Sequence, residues 1–510
     1  MIDVEREVSA GELAPRIARM WELSADKLDS LAARLDELPG AAVFTVDGRY
    51  TSRGWTEWTQ GFFCGSALLQ FDTTGEKRFL DLGRTATLQR MPGHLTHTGV
   101  HDHGFTVVSS FGALLRLMTE GRIAEDPWQR TAYELALRCS GAVQAARWTD
   151  LGNGEGFIHS FNGAHSLFAD TLRTLRSLAI AHLLGQALLG EGDRRISLLG
   201  RLLAHARTTA RCTVFYGEGR DGYDVRGRVA HESLFNVADG AYRCPSTQQG
   251  YSPFSTWTRG LAWVVCGYAE LLEFLDVLPD HELEPFGGRA TVTDQLLRPA
   301  LATADFYLAN TPTCGVPYWD TGAPGLAGLG DYLDRPADPF NDREPVDSSA
   351  AAVAAQGLLR LAQVLGERDP GPRYRRAGLR VLATLLDEPY LSTDPAHEGL
   401  LLHGIYHWPN RWDHVAPGRR VACGESVLWG DHHLRELALY VQRQLAGGPY
   451  LAFHHVRVDP EHAGADRAQV DLGHVGTGPG RAQVDLDHGR VEDSATLAVL
   501  DPADRTGTPA

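Results

Sequence analysis

Apolar residues along most of the chain recur with the spacing of one helix face, about 3.6 residues per turn. From Trp257 they fall at Trp257, Leu261, Val264, Val265, Tyr268, Leu271 and Leu272. Asp170 opens a similar pattern through Leu172, Leu175, Leu178, Ala179 and Leu183, and Val353, Gly357, Leu358, Leu361 and Leu365 repeat it. Comparable periodicity runs over 11–37, 62–75, 78–90, 105–120, 127–147, 193–211, 292–310, 371–388 and 425–444. The pattern therefore predicts about twelve helices. Strand signals are sparse and short, Cys212–Tyr216 being the best example. Twelve helices in succession suit a solenoid or an (α/α)6 toroid. A solenoid requires self-similar sequence every ~34–45 residues, which the body of the chain lacks. The expectation is an all-α (α/α)6 barrel whose inner helices are buried on both sides and whose loops surround one funnel-shaped mouth.

Two stretches depart from this pattern. Residues 311–346 carry six prolines and several glycines, including Pro317-Tyr318-Trp319-Asp320, and read as a functional loop or lid. Past Gly447, Arg467-Ala468-Gln469-Val470-Asp471-Leu472 recurs as Arg481-Ala482-Gln483-Val484-Asp485-Leu486 in a Gly-, Asp- and His-rich context. The expected division is a catalytic barrel over 1–446 and a flexible tail over 447–510.

Composition narrows the function. With 48 Lys plus Arg against 64 Asp plus Glu, the formal net charge of −16 argues against nonspecific nucleic acid or anionic membrane partners. A few local arginines are still enough to set the sign of one cleft for an anionic small substrate. No apolar run approaches the ~18 residues of a membrane span. The start Met1-Ile2-Asp3-Val4-Glu5-Arg6-Glu7 lacks the pattern of a secretory signal. Seven dispersed cysteines without a CxxC read as free thiols, so the cytoplasm is the expected compartment.

Three clusters carry candidate chemistry. His94, His97, His101, Asp102 and His103 precede a helix. Their density suits zinc, but no partner motif such as HExxH accompanies it, so no metal is expected. Asp102 is then either an N-cap or a carboxylate presented to the cleft at a helix N-terminus. Asp170 follows Ser166-Leu167-Phe168-Ala169 and is either a second N-cap or a carboxylic acid of raised pKa, able to act as a general acid. The third cluster is Gln248-Gln249-Gly250-Tyr251 followed by Ser255-Thr256-Trp257-Thr258-Arg259-Gly260-Leu261-Ala262-Trp263. Tryptophans stack on sugar rings and arginine pairs with a carboxylate, although core tryptophans and a surface ion pair are the plainer reading.

Taken together and in order, these segments resemble the unsaturated glucuronyl hydrolases of glycoside hydrolase family 88, whose fold is an (α/α)6 barrel. The resemblance runs through Trp58-Thr59-Gln60-Gly61-Phe62, His101-Asp102-His103-Gly104-Phe105, Gln249-Gly250-Tyr251 and Ser255-Thr256-Trp257-Thr258-Arg259-Gly260 to Ala262-Trp263. It continues through Gly315-Val316-Pro317-Tyr318-Trp319-Asp320, Asp347-Ser348-Ser349-Ala350-Ala351 and Glu425-Ser426-Val427-Leu428-Trp429-Gly430-Asp431. It implies hydration of the C4=C5 double bond of the unsaturated uronic acid that polysaccharide lyases leave at a chain end, without cofactor or metal. In that scheme an aspartic acid protonates C4, water adds at C5, and the hemiketal opens to release the next sugar. By motif, Asp170 is the acid/base and Asp102 the carboxylate that holds the ring hydroxyls. As an anion Asp102 would help keep Asp170 protonated. Gln249, Trp257, Arg259 and Trp263 fall on substrate-binding positions, with His231 and His101 beside the sugar and Trp58 at the entrance. Arg259 or a neighbour would supply charge for the uronate.

This chain departs from the family in having Thr171-Leu172-Arg173-Thr174 after the second aspartate, Gln248 in place of a histidine, and an insertion around Phe215–Arg228. Arg173 is thereby an added candidate for an anion contact. The alternatives are a family 105-like unsaturated rhamnogalacturonyl hydrolase acting on pectin fragments, a noncatalytic carbohydrate-binding toroid, and a metal hydrolase built on the His94–His103 segment. The glycan, its sulfation and the oligomeric state are left open by the sequence.

Overall fold

The computed structural model describes residues 1–5, 7–54 and 57–455. Twelve principal helices are present among them. They are α1 (Ala10–Arg34), α2 (Gln60–Thr74), α3 (Lys77–Arg90), and α4, which begins as His103–Val107 and passes through a π turn, Val108–Gly112, into Ala113–Thr119. Next come α5 (Pro127–Ala146), α6 (Thr171–Thr174 continuing as Arg176–Leu183), α7 (Leu198–Cys212) and α8 (Thr258–Leu275). The last four are α9 (Gly288–Ala309), α10 (Ser348–Leu365), α11 (Gly371–Leu385) and α12 (Leu428–Leu445).

The even-numbered helices form a closed inner ring in the order α2, α4, α6, α8, α10, α12 and back to α2. The odd-numbered helices pack outside them, so the architecture is the expected (α/α)6 barrel. The two rings differ in sequence as their burial requires. Every residue of α8 is buried, whereas α1 and α11 present one apolar stripe and one polar face. All inner helices point the same way, so their N-termini, and the loops that enter them, gather at one mouth.

Small residues bring the inner helices close together there. A side chain at Gly61 would meet the backbone of Thr106, and one at Gly104 would meet the backbone oxygen of Thr174 at 2.2 Å. Gly104 thus lets α4 and α6 touch backbone to backbone, just inside Asp102 and Asp170. Below the mouth the barrel axis is filled by charge. Arg173 is fully buried and binds Glu270 at 3.0 Å, Glu436 at 3.1 Å and Gln356 at 3.0 Å, and Arg360 binds Glu273 at 2.8 Å. Buried pairs of this kind hold only while both partners remain.

Strands are few and short, and they decorate the loops: an Ala42–Val46/Arg49–Ser52 hairpin, a Trp148–Gly152/Glu155–Ile158 hairpin, the two-stranded pair Leu188–Leu189/Arg195–Ile196, and a three-stranded sheet of Ser166–Phe168, Glu232–Phe235 and Tyr242–Ser246. The strand expected at Cys212–Tyr216 does not form. Cys212 ends α7, and only Val214 bridges Val229, because the chain turns into the 215–228 loop.

The proline-rich segment 311–346 is a packed brace. Trp319 Nε1 donates to Glu344 at 2.8 Å, Asp320 bridges Trp257, and Asp320 accepts from the Tyr251 N–H at 2.8 Å. At the base, residues beyond the expected boundary at 446 are also ordered onto the barrel. Leu451, Ala452 and Phe453 are buried, and the Tyr450 hydroxyl bonds Tyr440 and Glu273. The repeat at 467–486 and the rest of the expected tail lie outside the described residues. Among the described residues no helix is long and apolar enough to cross a membrane.

Candidate active site

The mouth opens into a cavity of about 740 Å³. Its walls include Trp58, His101, Asp102, Asp170, Gln249, Trp257, Arg259 and Trp263, eight of the nine side chains expected there from the sequence. The ninth, His231, is buried directly behind Trp257, with ring centroids 4.7 Å apart. Several of the lining residues arrive by way of an inner helix start. Trp58 sits in the turn before α2, His101 and Asp102 before α4, Asp170 before α6, and Trp257 and Arg259 at the first turn of α8. The partial positive charge of these helix ends therefore converges on the cavity.

Asp102 and Asp170 occupy N-cap positions, yet neither side chain caps its helix. The plainer reading of both is thus set aside: their carboxylates face the cavity and are drawn together through His101. His101 Nε2 lies 3.3 Å from Asp170 Oδ1 and 3.8 Å from Asp102 Oδ1. All three residues are buried. The imidazole is framed by Phe161, stacked at 5.9 Å, and by the edge of Phe168 at 5.6 Å. Arg147 ties the supporting loops together, donating to the carbonyls of Thr98, His159 and Ser160.

The electrostatics differ from the expectation. Burial raises the Asp102 carboxyl above its ordinary value, with Asp170 adding to the effect and His101 opposing it. Burial also acts to raise Asp170, but the hydrogen bond from His101, the charge of His101, and the proximity of His231 and Arg259 outweigh it, so Asp170 is lowered. The expected raised pKa therefore falls on Asp102 and not on Asp170. Burial acts to lower His101, yet the two carboxylates outweigh it and raise the imidazole above its usual value.

Arg259 is also placed differently from the expectation. Its Nη1 binds Asp347 at 2.8 Å and the Ile405 carbonyl, and its Nη2 binds Gln249 Oε1 at 2.9 Å and the Tyr406 carbonyl at 2.6 Å. Both terminal nitrogens are thus committed to the protein. Arg259 orients Gln249 and the 405–406 loop, and Asp347, itself the cap of α10, offsets its charge. Arg173 is no anion contact either, since it lies in the barrel axis beneath Trp263, 5.5 Å from the ring.

His231 Nδ1 accepts from the Gln248 and Gln249 N–H groups at 2.9 and 3.2 Å, which places its proton on Nε2. Burial holds this ring down to about 4, with Asp170 and Glu232 pulling the other way. It is thus a neutral donor behind Trp257.

Phe161, Tyr406, His407 and Trp412 also line the cavity and were not singled out from the sequence. Tyr406 packs on Trp429 at 5.1 Å and accepts from Trp58 Nε1 at 3.4 Å. The aromatic density of Tyr406-His407-Trp408 was the available signal. The 311–346 segment does not line the cavity and is no lid over it; it supports Trp257 from behind.

The His94–His103 segment does not assemble metal ligands. His103 is spent on Ser140 Oγ at 2.9 Å and the His97 carbonyl at 3.0 Å. Among the described residues, three ligand-type groups converge elsewhere, at His432, His433 and Glu436 and at Asp47, His414 and Glu425. Arg173 and Arg176 already face Glu436, which leaves little room for a cation there.

No family model matches the chain. It is 27% identical over 438 residues to the unsaturated glucuronyl hydrolase of Bacillus sp. (strain GL1), covering 84% of this chain and 98% of that protein. It is 25% identical over 411 residues to an unsaturated chondroitin disaccharide hydrolase of Streptococcus pyogenes serotype M1, covering 78% of this chain and 84% of the relative. The crystal structure of the Bacillus sp. GL1 protein superposes with a TM-score of 0.61 at 24% identity, over 83% of this chain and 97% of that one.

Proposed function

We infer that this chain, a homologue of the unsaturated glucuronyl hydrolases, is a hydrolase that removes the terminal 4,5-unsaturated uronic acid from lyase-generated oligosaccharides. Fragments of glycosaminoglycan type are the proposed substrates, in keeping with the relatives' names. The observation that carries the reading is the pair of carboxylates, Asp102 and Asp170, joined through His101 on the wall of a tryptophan-lined cavity.

In the proposed mechanism the uronate ring enters against Trp257 and Trp263, and the helix N-termini attract its carboxylate. Asp102 accepts hydrogen bonds from ring hydroxyls. Asp170 gives its proton to C4 while the C4=C5 electron pair forms the new C–H bond, leaving positive charge at C5 shared with the ring oxygen. A water attacks C5 and returns a proton to Asp170, restoring the enzyme. The resulting hemiketal opens and releases the next sugar. One water is consumed, and the enzyme's groups end as they began.

Because Asp170 is held low, the proton must be supplied as substrate binds. His101, raised and only 3.3 Å away, is the proposed donor to Asp170 Oδ1. The arriving uronate anion offsets the positive surroundings that hold Asp170 down and draws the proton across, and the proton returned by water passes back to His101 as product leaves. Gln249, fixed by Arg259, is proposed to position the sugar, and His231 to hold the Gln248–Gln249 backbone from behind. The seven cysteines are all unpaired, which supports a reducing, cytoplasmic setting.

The test is turnover. Unsaturated glucuronyl and chondroitin-type disaccharides should lose the ultraviolet absorbance of the conjugated double bond on incubation with the protein, with free amino sugar or hexose released in equal amount. Stable absorbance across a panel of such disaccharides would overturn the reading.

A further inference from the structure

The 215–228 loop packs one exposed aromatic ring against another on the connection that enters α8. Tyr223 and Phe254 stack at 4.6 Å with 25° between their planes, and they are 57% and 44% exposed. Tyr251, 50% exposed, lies on the same connection. The stack holds both rings in one orientation and leaves an outer face of each open to a ligand.

The position of the pair is set by the cavity itself. Phe254 is three residues from Trp257 and Tyr251 two from Gln249, so their backbones lie within about 11 Å of lining residues, the reach of three extended residues. The loop is fastened there. Arg228 Nη1 donates to the Pro253 carbonyl at 3.1 Å, Arg228 pairs with Asp221 at 3.1 Å, and its guanidinium stacks on Phe215 at 3.5 Å. Asp224 gathers four backbone N–H groups of residues 216–220, which closes the turn beneath Tyr223. The platform is a built feature of the rim.

We propose that the Tyr223–Phe254 pair is a distal sugar subsite, which stacks a residue of the oligosaccharide beyond the disaccharide held in the cavity. This rests on the function proposed above. The occupant follows from continuity: a chain whose unsaturated end is in the cavity must leave through the mouth, and the Gln248–Trp257 connection that lines one side of it carries Tyr251 and Phe254 between its lining residues. Flat aromatic faces suit sugar rings of any sulfation, because they read the C–H face and not the charge. The subsite makes this enzyme better on longer fragments than on disaccharides.

The experiment compares unsaturated disaccharide and tetrasaccharide, released from one glycosaminoglycan by one lyase, on wild type and on the Tyr223→Ala/Phe254→Ala double variant. The expected result is a KM for the tetrasaccharide raised about 3- to 10-fold, the loss of an aromatic stack, with kcat held and both constants for the disaccharide unchanged. Phe254→Trp should retain the wild-type preference. Equal change on both substrates, or none on either, overturns the subsite. If wild type fails to turn over the disaccharide, the catalytic reading falls on its own. The subsite is then judged by calorimetric binding of the tetrasaccharide to wild type and double variant, where equal affinity overturns it.

Discussion

Asp170 lies where burial would raise its carboxyl group, yet its neighbours hold it down, and this decides how the acid step is loaded. A carboxylate lowered by His101 cannot store the reacting proton at neutral pH; a raised imidazole between two carboxylates can. Activity should therefore fall on the alkaline side as His101 loses its proton, above the ordinary imidazole value of about 6.5. His101→Asn removes that store, so the alkaline limb of kcat/KM against pH should move to lower pH. An unmoved limb would assign the proton elsewhere. Asp170→Asn should lower kcat by about 10²–10⁴-fold, the usual worth of a positioned acid, while disaccharide affinity measured by calorimetry is retained. Arg259→Lys is a different kind of change. Lysine cannot span Asp347, Gln249 and two carbonyls, so KM should rise through a misplaced Gln249 more than kcat falls.

At the scale of the helix, the contact of α4 with α6 is what brings the two aspartates to one wall. Gly104→Ala would place a methyl group against the Thr174 backbone oxygen, a clash that only movement of a helix relieves. The expected cost is about 1–3 kcal/mol of stability, read in urea unfolding, together with a larger loss in kcat than that destabilisation explains. Helix positions were legible in the chain because inner and outer helices carry different patterns, and the shared direction of the inner helices follows from their alternation. The short strands and the 311–346 brace were not. They are held by non-local pairs, such as Asp320 with Tyr251 and Trp319 with Glu344, whose partners are invisible to periodicity.

For the molecule as a whole, the base of the barrel is closed by chain that follows the last helix. A protein ending after Ala446 loses Tyr450, Leu451 and Phe453 from the base and leaves the buried Glu273 one hydrogen bond short. It should melt at a lower temperature than one ending after His455, by several degrees in a thermal scan. The sequence by itself determined the class of fold, because helical burial is a local property written in spacing, and the ordered motifs of the family resemblance pointed to eight residues that line the cavity. Only the tertiary structure decided which groups are free to meet a substrate. Arg259 and Arg173 look alike as cations in the chain, yet both are consumed by buried acids, and His101 stands between two carboxylates that lie 68 residues apart in sequence. The protonation of a buried group is set by the sum of its neighbours, and those neighbours come from different helices that only folding brings together.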